Sequence, residues 1–210
     1  MSLRSGVSYE RLSDGRVRCN DCGMTAITSV EEFKKIFYQI LEMMQNFYGI
    51  EYKTPIVVKT ADAKVIARGA GSVYKPSREM DARVLGYAQR KGKLFNLMVE
   101  NGSPRLATIE TMAHEMTHIW QYLNWDDRAI RAQYPEKWKQ DIVYEGMAVW
   151  AAVQYLYLIG ETSYARQQEL LQAGREDTYG IGFKMYLDKF PLVKDSSLVT
   201  YSPFTVFPPL

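Results

Sequence analysis

The two histidines of this 210-residue sequence stand four residues apart, in His114-Glu115-Met116-Thr117-His118. Residues i and i+4 of a helix share one face, so two imidazoles with this spacing can bind one metal ion. Glu115 follows the first histidine and can reach a water molecule at an open coordination position. Imidazole and carboxylate ligands around an open tetrahedral site are typical of catalytic Zn²⁺. The pattern predicts a zinc site with His114 and His118 as ligands and Glu115 as general base.

Chance placement of the two histidines is the competing explanation. The spacing and the glutamate after the first histidine would arise together by chance in roughly one of 1,600 arrangements. The motif also needs a helix, and a helix is expected at this place in the chain. The metal interpretation is therefore preferred.

A catalytic zinc site needs a third protein ligand, and no histidine is left to supply it. A third histidine six residues after the second is excluded, because Asn124 stands there. The ligand is therefore expected to be a carboxylate from later in the chain, and the candidates are Asp126, Asp127, Glu136, Asp141 and Glu145. Glu145 is preferred, since a charged residue within the apolar stretch 143–150 needs a partner and Gly146 beside it indicates close packing. Asp141 is the next candidate, and a solvent-facing Glu145 is the alternative.

Cys19 and Cys22 form a second pair, with the C-x-x-C spacing of half a zinc knuckle. A structural zinc needs four ligands, and the chain has no further cysteine or spare histidine. Two interpretations stay open: a structural zinc completed by ligands outside this chain, or a degenerate pair of free thiols. A thioredoxin-like redox pair is not expected, because the βαβ pattern is missing.

Two long helices must position the metal-binding residues. Capping residues and apolar spacing predict a helix from Ser103 to about Asn124, which contains both histidines. A second helix is predicted from Pro135 to about Ile159, which contains Glu145. Further helices are predicted over 29–48, 162–173 and from 177 to before 191, and strands over 56–59, 84–89 and 94–100.

These elements indicate an α+β, helix-rich fold with a small sheet before the helix that carries the histidines. Residues 1–29 are expected to form an N-terminal segment with the cysteine pair, and residues 30–210 the main domain. The strand Leu94–Glu100 is a candidate for pairing with an extended substrate. The aromatic and proline-rich stretch 201–210 is expected to lie against the domain, because such a segment would otherwise expose apolar surface.

Composition excludes several classes of protein. Hydrophobic residues make up 47% and charged residues 24%, which is ordinary for a soluble globular chain. With 26 basic and 24 acidic residues, the net charge of +2 gives no basis for a nucleic-acid or membrane partner. No apolar run approaches the roughly 18 residues of a membrane span, and the first ten residues lack a signal sequence, so a cytoplasmic location is expected. The sequence does not indicate an oligomeric state.

Further motifs stand in a fixed order around the histidine pair. They are Asp14-Gly15-Arg16 before the cysteine pair, Asn46-Phe47-Tyr48, Pro55-Ile56-Val57-Val58, Pro104-Arg105-Leu106, Glu145-Gly146 and Tyr179-Gly180-x-Gly182-Phe183. This set, spread over about residues 14–60 and 104–190, resembles the plant DA-one type of LIM-associated, growth-restricting zinc peptidases and their bacterial relatives.

The resemblance implies a zincin-like peptidase domain of the gluzincin class, with His114 and His118 as zinc ligands and Glu115 as catalytic base. The family's Glu-Glu-Gly is Tyr144-Glu145-Gly146 here, so only the second carboxylate is kept, which supports Glu145 as ligand. The plant proteins also carry a LIM module and ubiquitin-interacting segments upstream. The chain contains neither, so ubiquitin-linked regulation is not carried over.

The predicted activity is zinc-dependent hydrolysis of peptide bonds in a protein or peptide substrate, with Glu115 moving the proton of the attacking water. Tyr179 is the candidate donor to the oxyanion, because it begins a helix in the Tyr-Gly-x-Gly-Phe stretch. Its alternative role is that of one packed aromatic among fifteen tyrosines. The alternative function is a catalytically silent, zinc-containing protein-interaction module.

Overall fold

The chain folds into helices with small sheets, as a computed structural model describes for residues 8–76, 84–195, 199 and 201–205. The helices are α1 (Asn20–Met24), α2 (Val30–Tyr48), α3 (Ala63–Gly69), α4 (Arg105–Asn124), α5 (Asp127–Gln133), α6 (Lys137–Leu158), α7 (Thr162–Ala173) and α8 (Thr178–Lys189), with a 3-10 turn at Pro203–Thr205. The strands are β1 (Tyr9–Arg11), β2 (Val17–Cys19), β3 (Ile56–Ala61), β4 (Gly86–Lys91) and β5 (Leu94–Glu100). The predicted α+β class, with a sheet before the histidine helix, is confirmed.

Two compact units divide the chain. One combines Met1–Gln39 with Thr54–Met112, and the other combines Ile40–Lys53 with Ala113–Leu210. The predicted separation of residues 1–29 from 30–210 stays a prediction.

The first unit is organised around a buried group of charged side chains. β1 and β2 form an antiparallel hairpin, and Asp14 and Arg16 lie in its turn. The Asp14 carboxylate accepts hydrogen bonds from the Arg16 side chain at 2.6 Å and from the main chain of Ala63, at the start of α3, at 3.0 Å. Arg16 also pairs with Glu100, at the end of β5, at 2.7 Å. The hairpin is thereby joined to a helix and to the sheet.

The sheet of the first unit has the strand order β3-β5-β4. β5 pairs with β3 in parallel and with β4 antiparallel along its length, and its Phe95, Leu97 and Val99 are fully buried. Both edges of β5 are therefore occupied by neighbouring strands. The expectation that Leu94–Glu100 takes a substrate by strand addition is wrong, because its main-chain hydrogen-bonding groups already serve the sheet.

The second unit is built on α6. Every residue from Gly146 to Leu158 is buried, so this stretch is a core helix rather than an amphipathic surface helix. It packs against α8, where Phe183 and Tyr186 are fully buried and the Tyr186 hydroxyl donates to the Val143 carbonyl at 3.0 Å. The predicted packing role of Gly146 is confirmed: a Cβ there would overlap the main chain of Gly182.

The described part of the tail also belongs to the second unit. Phe204 is 8% exposed and lies against Tyr48 and Trp120, with ring centroids 4.7 and 5.0 Å away. Trp120 is two residues after His118, and residues i and i+2 face opposite sides of a helix. The tail contact is therefore on the side of α4 away from the histidines, while residues 206–210 lie outside the described part.

Candidate metal centre

Three side chains of the second unit, carried by two helices, converge on one point. His114 and His118 are one turn apart on α4, and Glu145 comes from α6. The Nε2 atoms of the two histidines are 3.0 Å apart. Oε2 of Glu145 lies 3.2 Å from Nε2 of His114 and 3.4 Å from Nε2 of His118. In the part of the chain that the structure describes, this is the one group of three or more histidines, cysteines or acids that is placed to hold a metal ion.

The donor set fits a zinc ion. Nitrogen and oxygen donors about 2.0–2.2 Å from a tetrahedral zinc are roughly 3.3 Å from one another, close to the three separations in this site. Two neutral imidazoles that face each other through Nε2 at 3.0 Å also require a proton or a cation between them. A metal ion would satisfy both nitrogens and the carboxylate together, and two imidazoles with one carboxylate suit zinc.

The electrostatics of the group favour a bound cation. Burial lowers the pKa of His118, but the carboxylates of Glu145 and Glu115 and the Gln121 side chain outweigh it and raise that pKa to about 9. Burial raises the pKa of Glu145, but hydrogen bonds and charge interactions with His114 and His118 hold it well below its usual value. A carboxylate that stays ionised in a largely buried site attracts positive charge.

Glu115 and Tyr179 lie beside the three converging side chains. Glu115 is 7% exposed, and its charge helps raise the pKa values of His118, Tyr122 and Tyr179. The Tyr179 ring stacks on His114 with centroids 6.2 Å apart. The Arg175 guanidinium group also contacts this ring and lies 4.8 Å from the centre of Tyr179. The structure thus brings both predicted catalytic residues to the neighbourhood of the histidines.

The other acidic candidates for the third ligand do not reach the histidines. Asp141 pairs with Lys137 one turn away, and Glu136 pairs with Lys139. Asp126 caps the start of α5, and Asp127 pairs with Arg131. Each therefore has a local partner near its own helix end, and Glu145 is the predicted candidate that meets both imidazoles.

The cysteine pair lies in the first unit, at the end of the hairpin. The Cys22 main-chain N–H donates to Sγ of Cys19 at 3.4 Å, and both cysteines are free thiols. Across the residues that the structure describes, no third metal-binding side chain joins them. A structural zinc here would need ligands from outside this chain, so both earlier interpretations stay open.

Sequence reasoning missed two residues of the site, Gln121 and Tyr122. The Oε1 atom of Gln121 lies 2.8 Å from Nδ1 of His118. The half-exposed Tyr122 ring stacks on the same imidazole, with centroids 6.3 Å apart. Both stand three or four residues after His118 in the sequence, and this spacing on one helix face is the signal that could have found them.

Comparisons with known proteins give one partial similarity. The chain is 26% identical over 147 residues to Protein DA1-related 2 of Arabidopsis thaliana, and the match covers 56% of this chain and 28% of the plant protein. The chain therefore spans less than a third of that relative, and the similarity indicates a distant DA1-like relationship. No family model matches the chain. No solved structure matches it either.

In the described residues, no helix is both long and apolar enough to cross a membrane.

Proposed function

We propose that this chain is a zinc-dependent metallopeptidase that hydrolyses peptide bonds in a protein or peptide substrate. The observation that carries the proposal is the meeting of His114, His118 and Glu145 from two helices, with a buried carboxylate and a tyrosine beside them. The distant similarity to a DA1-related plant protein supports it, as does the resemblance to zinc peptidases in the order of motifs. Zinc is the proposed metal because of the donor set.

His114, His118 and Glu145 would hold the ion. Zinc bound there would polarise the scissile carbonyl and lower the pKa of a water molecule toward about 7. The Glu115 carboxylate takes the proton of the attacking water and returns it to the leaving amine nitrogen. The two carboxylates therefore have different proposed roles. Glu145, on α6, would bind the cation, and Glu115, on α4, would move the proton.

Tyr179 is proposed to donate a hydrogen bond from its hydroxyl group to the developing oxyanion. A tyrosine with its usual pKa of about 10 is already protonated at neutral pH. Burial and the charges of Glu145 and Glu115 raise the pKa of Tyr179 further. Stacking against His114 and Arg175 restricts the ring. A phenol that stays protonated and is held in place can act as a hydrogen-bond donor without reorganisation.

The Glu115→Gln variant tests this function. The amide keeps the shape of the side chain but cannot accept the water proton, so we expect the variant to retain zinc and to lose hydrolysis of casein or of a peptide library by roughly 100-fold or more. Glu161→Gln is the matched control, because Glu161 is exposed, stands at the start of α7 and makes no side-chain capping bond. It should leave both zinc content and turnover unchanged.

Two outcomes would contradict the proposal in different ways. Hydrolysis that survives in Glu115→Gln would show that Glu115 is not the general base. A wild-type protein that binds zinc and cleaves no peptide under the same conditions would favour the catalytically silent interaction module.

A further inference from the structure

Gln121 occupies a buried position between the two helices that carry the metal-binding side chains. It is 0% exposed and stands one turn after His118 on α4. Its Oε1 lies 2.8 Å from Nδ1 of His118, and its Nε2 donates to the main-chain carbonyl of Tyr144 on α6 at 2.9 Å. Tyr144 is the residue immediately before Glu145. One amide therefore contacts one predicted ligand and the backbone next to another.

The chemistry of these partners fixes the orientation of the amide. A main-chain carbonyl only accepts hydrogen bonds, so the NH₂ group of Gln121 must face Tyr144 and its oxygen must face His118. An amide oxygen only accepts as well, so Nδ1 of His118 must carry a proton. The lone pair of a neutral His118 is then on Nε2, the atom that points toward His114 and Glu145.

We propose that Gln121 is a positioning residue of the metal centre, which sets His118 as an Nε2 ligand and ties its helix to the turn of α6 that carries Glu145. The inference rests on the metal-binding part of the proposed function and is independent of peptide hydrolysis. Partners that orient metal-binding histidines typically change metal affinity by roughly 10–100-fold when they are removed.

A buried glutamine elsewhere in the same unit provides a matched control. Gln154 is also 0% exposed and makes two hydrogen bonds. Its side chain donates to the carbonyl of Val193 at 2.7 Å and accepts from the N–H of Val193 at 2.8 Å. Its partners are main-chain groups of a loop, so its loss affects folding stability without touching a predicted ligand.

The test measures zinc affinity by competition with a chromophoric chelator, together with thermal stability, for Gln121→Leu, Gln121→Glu and Gln154→Leu. Gln121→Leu removes both contacts and should bind zinc roughly 10–100-fold more weakly than the wild type. Gln121→Glu keeps an acceptor for Nδ1 but loses the donor to Tyr144, so its zinc affinity should exceed that of Gln121→Leu. Gln154→Leu should lose stability and keep the wild-type zinc affinity.

A second measurement reports on the imidazole directly. In the zinc-loaded wild type, Gln154→Leu and Gln121→Glu, we expect a downfield ring N–H proton of His118 that exchanges slowly with water in the NMR spectrum. Gln121→Leu should lose this signal, because its side chain accepts no hydrogen bond. If Gln121→Leu does not fold, Gln121→Glu decides the question. Its carboxylate is a stronger acceptor than an amide, so its His118 N–H signal should lie downfield of the signal in the wild type and Gln154→Leu, and an unshifted signal would contradict the proposal.

The proposal is overturned if Gln121→Leu binds zinc as tightly as the wild type, or if Gln154→Leu weakens zinc binding to the same extent. A wild-type protein with no affinity for zinc overturns it together with the metal site. A protein that shows the expected zinc affinities and cleaves no peptide supports the role of Gln121 and contradicts only the peptidase proposal.

Discussion

At the scale of single residues, burial and local partners distinguish the acidic side chains of the second unit. Asp141 and Glu145 are one turn apart on α6, but the first pairs with an exposed lysine and the second with two imidazoles. A carboxylate drawn into a largely buried site is stabilised only by opposite charge or by hydrogen-bond donors. The contrast makes the two acids a natural pair for substitution.

Glu145→Ala should abolish stoichiometric zinc binding, whereas Asp141→Ala should retain it. One of three protein donors is lost in the first variant, and the effect should exceed the roughly 10–100-fold that the loss of an outer partner causes. Metal analysis after dialysis measures the outcome as zinc per chain. Full zinc content in Glu145→Ala would remove Glu145 from the ligand set.

At the scale of elements, the position of Glu145 depends on how closely α6 and α8 approach each other. Gly146 and Gly182 face each other across the contact, and a Cβ on either would overlap the main chain of the opposite helix. Gly146 lowers helix propensity by about 1 kcal/mol relative to alanine, so its value lies in the packing it permits. The residue next to a predicted ligand thus sets the spacing of two helices.

Gly146→Ala should destabilise the protein by about 1–3 kcal/mol, because the added methyl group forces the helices apart. The shift should also displace Glu145 and weaken zinc binding. Gly174→Ala is a suitable control, since Gly174 has right-handed helical geometry and its Cβ would approach a carbonyl only to 3.4 Å. Chemical denaturation of both variants checks the difference, and equal stabilities would contradict the packing argument.

Elements with strong local signals were predicted well, and elements defined by tertiary contacts were not. Apolar spacing and capping residues placed both ends of α4 and of α6 within two residues of their observed bounds, and α7 at its observed bounds. The short helices α3 and α5 were not predicted, because each has only seven residues and little periodicity. The pairing of β5 with two neighbours was missed, since strand order depends on contacts distant in the sequence.

The predictions for the candidate site show the same difference between local and tertiary signals. The spacing of His114 and His118 is local, so the sequence alone placed them on one helix face. Glu145 required a tertiary argument from an acid in an apolar stretch, and the structure brings it to the histidines. Gln121 was missed because its partner on α6 becomes visible only when the two helices are packed.

At the scale of the whole molecule, we expect stability in acid to depend on charges buried in the first unit. Burial raises the pKa of Asp14, but hydrogen bonds from Ala63 and Arg16 and the Arg16 charge hold that pKa below its usual value. A carboxyl group with a lowered folded-state pKa contributes stability above its unfolded pKa of about 3.9, and this stability is lost as the pH falls through the folded value. The first unit should therefore loosen in acid.

Asp14→Asn should lower the free energy of unfolding by about 2–3 kcal/mol at neutral pH, because hydrogen bonds to a buried charge are lost. The difference from the wild type should be constant between about pH 6 and 8. It should shrink as the pH falls below about 4, where Asp14 is protonated in the unfolded chain, and should be smallest below the lowered folded-state pKa, where Asp14 is protonated in both states. Asp62→Asn is the control, as an exposed helix cap for which asparagine is equally suitable. Urea denaturation across this pH range gives the comparison, and a difference independent of pH would contradict the assignment.

Because both histidines lie in one place, a histidine-specific probe reports on the candidate metal centre. The chain has two imidazoles, and both contribute to the three-residue group with Glu145. Histidine-selective acylation would therefore label this group alone, and protection from the reagent would measure its occupancy without background from the remaining surface. In the proton NMR spectrum of the purified protein, the imidazole C–H signals would likewise come from two histidines, so metal loading could be followed at the three-residue group itself.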